Sequence, residues 1–214
     1  SVIPPIGIVP VGTGNSFVRD VEIGNTDDGI DAIIRGTTRL VDVGVLQTGN
    51  GRYAFINLLG AGFVSNVAHS AQRYKRWGAL SYAFAVIQET IDLDAEPIRI
   101  TLDGTEISRE AIFVEICNSR YTGGAMMIAP DAQINDGLFD VVLMRKTTRR
   151  HLLRLFPRIF SGTHVKDRII EVHRGSTVTI ETDRPWHLTP DGETFGRTPI
   201  SVAMHRSKVA ICVP

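Results

Sequence analysis

The chain has 214 residues, with 23 Lys plus Arg and 23 Asp plus Glu, so its formal net charge is zero and argues against a nucleic-acid partner, which draws a basic excess. At 43% hydrophobic and 21% charged residues it has the composition of a globular protein with a real core. Its two cysteines, Cys117 and Cys212, fall in apolar runs and read as buried free thiols of a reducing compartment, and no apolar run is long enough to span a bilayer.

In chain order, residues 6–9 form a short β-branched run that reads as a buried strand. Pro10-Val11-Gly12-Thr13-Gly14-Asn15 follows, and Asn15 or Ser16 can cap a helix over residues 17–21. Gly12 and Gly14 let a ligand approach the main chain closely. A strand, a glycine turn and a helix start together would offer N–H groups and a positive dipole end to a phosphate. An ordinary strand-to-helix turn has the same local pattern.

Thr26 and Asp27 can cap a short helix over residues 29–35. Residues 38–47 alternate, with Leu40, Val41, Val43 and Val45 among Arg39, Asp42 and Gly44, and predict a strand. Thr48-Gly49-Asn50-Gly51 is a hairpin turn signal, and residues 52–59 read as the antiparallel partner. Gly60-Ala61-Gly62 breaks that strand, and residues 63–73 are helical in pattern. Residues 78–93 carry Leu80, Phe84, Ile87 and Ile91 at helical spacing, which suits a core-facing helix or one wall of an acyl-chain cleft.

From Pro97 onward strands dominate. Residues 98–102 and 105–107 flank the turn Asp103-Gly104, residues 111–117 read as a central strand, and residues 138–144 as another. A helix over residues 149–160 is kinked or shortened by Pro157, and four strands at 169–172, 177–180, 200–204 and 209–213 complete the pattern. Many short strands between turns predict an α+β fold, mostly an antiparallel β-sandwich with a few helices.

Three stretches can carry chemistry. In Asp191-Gly192-Glu193, two carboxylates flank a glycine and could meet one hydroxyl, as phosphoryl transfer to an alcohol requires; a solvated Pro-Asp-Gly turn is the simpler reading of the same residues. Around Asn135-Asp136-Gly137, the Asp136 carboxylate with the carbonyls of Gln133 and Leu138 offers the oxygen donors that Mg²⁺ prefers, the alternative being a β-turn with a surface Asp. The turn Asn118-Ser119-Arg120-Tyr121-Thr122-Gly123-Gly124 is a hairpin, a bulge or part of a substrate cleft. The six histidines show no metal-ligand spacing. The basic cluster from Arg145 to Arg158, interleaved with Leu152, Leu153, Leu155 and Phe156, is a solvated face or a contact for an anionic membrane.

Pro10-Val11-Gly12-Thr13-Gly14-Asn15-Ser16-Phe17-Val18-Arg19 resembles the Gly-Thr-x-Asn motif of the diacylglycerol kinase and sphingosine kinase superfamily of lipid kinases, with Ser16 where Asp is common. Four more stretches follow in that family's order: Lys75-Arg76-Trp77-Gly78-Ala79-Leu80-Ser81-Tyr82, then Asn118 to Gly124, then Asn135-Asp136-Gly137-Leu138-Phe139-Asp140, then Asp191-Gly192-Glu193. The resemblance covers essentially the whole chain. It implies an enzyme that moves the γ-phosphoryl of ATP, as its Mg²⁺ complex, to the hydroxyl of a diacylglycerol-like lipid. It also implies that residues 1–37 are a remnant of an α/β ATP-binding domain and residues 38–214 a β-sandwich domain. By the same resemblance, Gly12, Thr13 and Asn15 contribute to the nucleotide site. Glu193 takes the alcohol proton beside Asp191, and Gln133, Asp136 and Leu138 hold a structural magnesium.

The family's Gly-Gly-Asp-Gly-Thr loop belongs upstream of Gly12 and is not in this sequence. The expectation is therefore a folded but inactive C-terminal part of a longer kinase, with residues 4–21 poorly anchored or borrowed by a neighbouring chain. The implied partners are a lipid substrate and, transiently, the inner face of the membrane on the cytoplasmic side, with no nucleic acid and a homodimer left open. An NAD kinase-like enzyme and a non-catalytic lipid-binding module are the rival readings.

Overall fold

A computed structural model describes residues 4–12, 14–49, 51–65 and 95–214. Thr13, the stretch Lys75 to Tyr82 and the helix expected over residues 78–93 lie outside the described residues. Twelve strands are described: β1 (Thr38–Thr48), β2 (Gly51–Phe55), β3 (Leu58–Gly62), β4 (Glu96–Leu102), β5 (Thr105–Cys117), β6 (Tyr121–Thr122), β7 (Met126–Met127), β8 (Phe139–Arg145), β9 (Ile170–Gly175), β10 (Thr177–Thr182), β11 (Leu188–Pro190) and β12 (Ile200–Cys212). Helix α1 spans Thr26–Arg35 and helix α2 spans Arg149–Leu155.

Ten strands form one sheet in the order β11-β3-β5-β4-β10-β12-β1-β2, with β8 and β9 branching from β5, and every strand pair is antiparallel. The thirteen-residue β5 serves both layers. Its first half pairs with β4, and beyond a bulge at Ile112 its second half pairs with β3 on one side and β8 on the other. A bulge bends a strand and re-aims it, which lets one strand turn the corner of a sandwich. Sequence reading splits this strand at Ser108 to Glu110 because those residues are polar; they are paired to β4 all the same. The core between the layers is built by Leu46, Phe55, Leu59, Ile100, Ile116, Phe139, Leu143, Ile180 and Leu188. The outer face of β5 and β8 is covered by α2 through Leu152 and Leu155.

The start of the chain differs from its sequence expectation. Residues 6–9 are not a buried strand: Ile6 is 44% exposed and makes a single parallel bridge to Ile211. The helix expected over residues 17–21 is a three-residue 3₁₀ turn, Phe17–Arg19, with no side-chain cap from Ser16. Nor is the segment poorly anchored throughout, since Phe17, Val18 and Val21 are buried against Val41, Ile211 and Val213. Residues 8–10 lie so close over α1 that a Cβ on Gly29 would stand 2.5 Å from the Ile8 carbonyl. The cap of α1 is Asn25, one residue before the predicted pair, and its carboxamide oxygen accepts from the N–H groups of Asp27 and Asp28. Pro157 ends α2 early and starts a 3₁₀ turn, Phe156–Ser161.

Asp42 breaks the alternation read over residues 38–47. It is fully buried in β1, opposite an excursion of β12 at residues 206–208. Its two oxygens accept from Gly137 N (2.6 Å) and Ser207 N (2.5 Å), and its own N–H donates to Ile134 O (2.8 Å). One carboxylate therefore holds the 133–138 loop and the 206–208 excursion to the sheet. Removing it leaves two amides without their partner, that of Gly137 in the interior, so Asp42→Ala is expected to cost about 2–4 kcal/mol of stability, and Asp42→Asn less. Urea unfolding midpoints check this, and an unchanged midpoint for Asp42→Ala would refute the clamp.

Candidate functional site

Sequence reading runs one strand over residues 52–59. The structure breaks it at Ile56 and Asn57, and the break is where the site is built. The N–H groups of Ile56, Asn57 and Leu58 all donate to the Asp191 carboxylate, at 3.0, 2.9 and 3.2 Å. Asp191 N returns a bond to Leu58 O at 2.8 Å. On the other side, Asn118 Nδ2 donates to Ile56 O at 2.7 Å, and the N–H groups of Asn118 and Ser119 donate to Asn57 O at 3.0 and 3.1 Å. Every backbone polar group of residues 56–58 thus has a protein partner.

Asp191 and Gly192 both have positive φ, 47° and 85°, and Glu193 N closes the turn on Pro190 O at 2.9 Å. A turn of this type needs residues that tolerate left-handed backbone, which Asp and Gly do. Burial pushes the Asp191 pKa up, against the pull of the three N–H groups. A carboxylate offers about four acceptor positions, so one on Oδ2 is left over. Glu193 is exposed on the same turn, and no described residue bonds its carboxylate. Tyr53, whose ring lies 4.9 Å from that of Phe195, has its hydroxyl pKa raised by burial and by the charges of Asp191 and Glu193. The phenol and both carboxylates therefore share one neighbourhood.

The Gly12 to Ser16 turn and the Asn118 to Gly124 turn meet at the same place. Ser16 Oγ accepts from Gly124 N at 2.7 Å, and buried Asp20 pairs with Arg120 Nε at 2.7 Å. The guanidinium groups of Arg19 and Arg120 lie 5.6 and 5.3 Å from the centroid of the Tyr121 ring. Ser16 thus has a definite bonding role. Asn15 Nδ2 donates to Gly12 O at 2.6 Å and closes its own turn. The three-residue 3₁₀ turn that follows has no appreciable dipole, so the helix-start phosphate site read from the sequence is not formed by residues 17–21.

These turns surround the mouth of a cavity of about 150 Å³. Gly14, Ser16, Asn57, Thr122, Gly123, Asp191 and Gly192 line it together with Phe63, Val64, Phe113, Met126, Met144, Leu152, Leu155, Phe156 and Ile159. Four buried polar side chains sit in this lining, Ser16, Glu115, His164 and Thr189, and two of them can ionise. His164 Nε2 bonds Ile128 O at 3.1 Å while Nδ1 has no partner among the described residues, and burial pulls its pKa down to about 4. Glu115 is 4% exposed, and burial pushes its carboxyl up to about 8. Neither was singled out from the sequence. The available signal for Glu115 is a lone acid inside the apolar run Ala111 to Cys117.

The 133–138 loop lies apart from this cavity. Asp136 Oδ1 accepts from Leu138 N at 3.0 Å, and Oδ2 pairs with the Arg174 guanidinium. Gln133 is exposed and Leu138 half-buried. Among the described residues no group of three or more His, Cys, Asp or Glu side chains could hold a metal ion. The donor chemistry of Asp136 and the loop carbonyls suits magnesium, but Arg174 already balances the Asp136 charge.

The fold and site define a two-layer β protein in which a polar mouth, with carboxylates from one turn, opens on an apolar pocket. Residues 57–213 match the YegS C-terminal NAD kinase beta sandwich-like domain, and residues 1–46 match the diacylglycerol kinase catalytic domain. The chain belongs to this bacterial, diacylglycerol kinase-like family. A diacylglycerol kinase of Mycobacterium tuberculosis (strain ATCC 25618 / H37Rv) is 37% identical over 183 residues, which is 83% of this chain and 59% of the relative. One of Bacillus subtilis (strain 168) is 28% identical over 200 residues, 92% of this chain and 65% of the relative. The chain therefore spans less than two thirds of the length of either relative. The crystal structure of a candidate diacylglycerol kinase from Bacillus anthracis str. Sterne shares the fold, with a TM-score of 0.80 at 23% identity over 99% of this chain and 70% of that one.

Glu115 makes the site sensitive to pH. Its folded-state pKa is raised from 4.5 to about 8, so the folded protein holds a proton that the unfolded chain releases. Its contribution to stability is complete below about 4.5 and is lost as pH rises through about 8. His164 acts in the opposite sense between 6.5 and about 4, so the comparison must be with a variant. Relative to Glu115→Gln, the unmodified chain is expected to lose stability steadily from pH 5 to pH 8, by urea midpoints. Parallel profiles would show that Glu115 is not protonated in the fold.

Proposed function

We propose that this chain supplies the acceptor side of an ATP-dependent lipid kinase, one that phosphorylates the hydroxyl of a diacylglycerol-like lipid. The observation that carries the reading is the convergence of Gly14 and Ser16, Thr122-Gly123 and Asp191-Gly192 on one apolar pocket. The relatives named diacylglycerol kinase support it. Phosphoryl transfer relies on positioning and charge stabilisation, with a carboxylate to orient the attacking hydroxyl and accept its proton. Asp191, fixed by three N–H groups, orients the hydroxyl; Glu193, exposed and unclamped on the same turn, accepts the proton. By the family's motif, Gly12, Thr13 and Asn15 contribute to the nucleotide site.

The face of α2 away from the pocket suits a lipid surface. Leu152 and Leu155 line the pocket, while Leu153 on α2 (44% exposed) and Phe160 on the 3₁₀ turn that follows (51%) are exposed, as are Arg149, Arg150 and Arg154. Apolar side chains among cations are the pattern of a peripheral contact with anionic lipid. Among the described residues no helix is long and apolar enough to cross a membrane.

In the intact protein, Glu193→Gln is expected to lower kcat roughly a hundredfold or more. Leu153→Glu with Phe160→Glu is expected to raise KM for diacylglycerol in anionic vesicles and to leave kcat unchanged. Steady-state transfer from radiolabelled ATP measures both. Near-normal turnover of Glu193→Gln would pass the base role to Asp191, and an unaltered KM would remove α2 from the membrane contact.

For the 133–138 loop we propose magnesium held by Asp136 with the carbonyls of Gln133 and Leu138, in competition with Arg174. Magnesium is then expected to raise the Tm of the chain, and Asp136→Asn to abolish the rise. A wild-type Tm indifferent to magnesium would leave Arg174 as the sole counter-charge of this loop.

A further inference from the structure

Glu115 on β5, Gly60 on β3 and Thr189 on β11 stand side by side in register across three adjacent strands. The middle position has no side chain. A Cβ placed on Gly60 would stand 3.0 Å from Thr189 Oγ1 and from Val64 Cγ2 and 3.7 Å from Glu115 Oε1, so the bare glycine lets both oxygens approach each other across β3. Glu115 and Thr189 both line the apolar pocket, and so does Asp191, two residues beyond Thr189. Glu115 is 4% exposed, and its Oε2 has no hydrogen-bond partner among the described residues. An orphaned buried carboxyl is destabilising, and a leucine in its place would cost the fold nothing. A ligand in the pocket would supply the missing partner.

We propose that Glu115, with Thr189, is a specificity-determining residue that binds an uncharged oxygen group of the acceptor lipid, a hydroxyl or an ester, where the two side chains line the pocket. The proposal rests on the lipid-acceptor reading of the pocket and adds to it the headgroup chemistry. No cation lies beside Glu115 among the described residues, and burial favours its neutral form. A neutral carboxyl both donates and accepts a hydrogen bond, as a hydroxyl does, and it accepts nothing from an ionic partner that would justify charging it there. Thr189 Oγ1, which lies 3.1 Å from Ser65 Oγ, can turn to the ligand on its other side. The acyl chains then rest on Phe113, Met126 and Met144 while the reacting hydroxyl points toward the Asp191 turn.

The test uses the 214-residue chain and 1,2-dioctanoylglycerol, with binding by titration calorimetry. Glu115→Gln, which keeps both hydrogen-bonding capacities, is expected to bind within about threefold of the unmodified chain. Glu115→Leu is expected to bind roughly tenfold more weakly, the equivalent of one lost hydrogen bond. Its Tm, unchanged or raised, confirms that it folds. The infrared carbonyl band of a protonated carboxylic acid should shift when the lipid is added and be missing in Glu115→Gln. Equal binding by Glu115→Leu, no binding by the unmodified chain, or an unmoved band overturns the proposal. So does a long-chain amino alcohol that binds more tightly than dioctanoylglycerol and is lost in Glu115→Gln. Binding through Glu115 without phosphoryl transfer by the intact protein overturns the kinase reading and leaves this site standing.

Discussion

The backbone of residues 56–58 is the joint on which the rest of the site depends. A strand that stops and restarts leaves N–H and C=O groups without ladder partners, and buried backbone groups must be paired. Here the Asp191 carboxylate takes all three N–H groups and the Asn118-Ser119 segment serves the carbonyls of Ile56 and Asn57. The acidic turn, the Asn118 to Gly124 turn and the β2–β3 break therefore cannot move independently. Through Ser16 and Asp20 the opening segment of the chain joins the same assembly. The mouth of the pocket has one geometry because four segments distant in sequence share these bonds.

Buried polar residues play two parts here. Asp42 has both oxygens filled by amides and ties two loops to the sheet; Asn118, whose Nδ2 is filled by the carbonyls of Asp42 and Ile56, also ties a loop to the sheet, although its Oδ1 has no partner among the described residues. Glu115 and His164 keep an atom without a partner and line the cavity. Satisfied buried groups specify the fold, whereas unsatisfied ones facing open space are what a ligand can complete. The opposing pKa shifts of Glu115 and His164 have one cause: burial in an apolar lining favours the neutral form of each.

The strand pattern and the fold class were determined by the sequence itself, because alternation, apolar runs and Gly-containing turns are local signals. β1, the Asp103-Gly104 turn, β8 and the shortening of α2 at Pro157 all follow from neighbours within a few residues. Only the tertiary structure decided that residues 105–117 are a single strand, since partners on β4 hold the polar Ser108 to Glu110 in the ladder. It likewise decided that residues 6–9 stay out of the sheet, because one bridge to Ile211 is all the sheet offers them. Asp191 and Gly192 were legible as a turn with a carboxylate, but its clamp on residues 56–58 lies more than a hundred positions away. No local pattern encodes such a bond. Asp42 and Glu115 look in the sequence like one polar position in an alternating strand and one stray acid in an apolar run. What each carboxylate does is set by which strand lies opposite, an amide-bearing excursion for Asp42 and a glycine for Glu115.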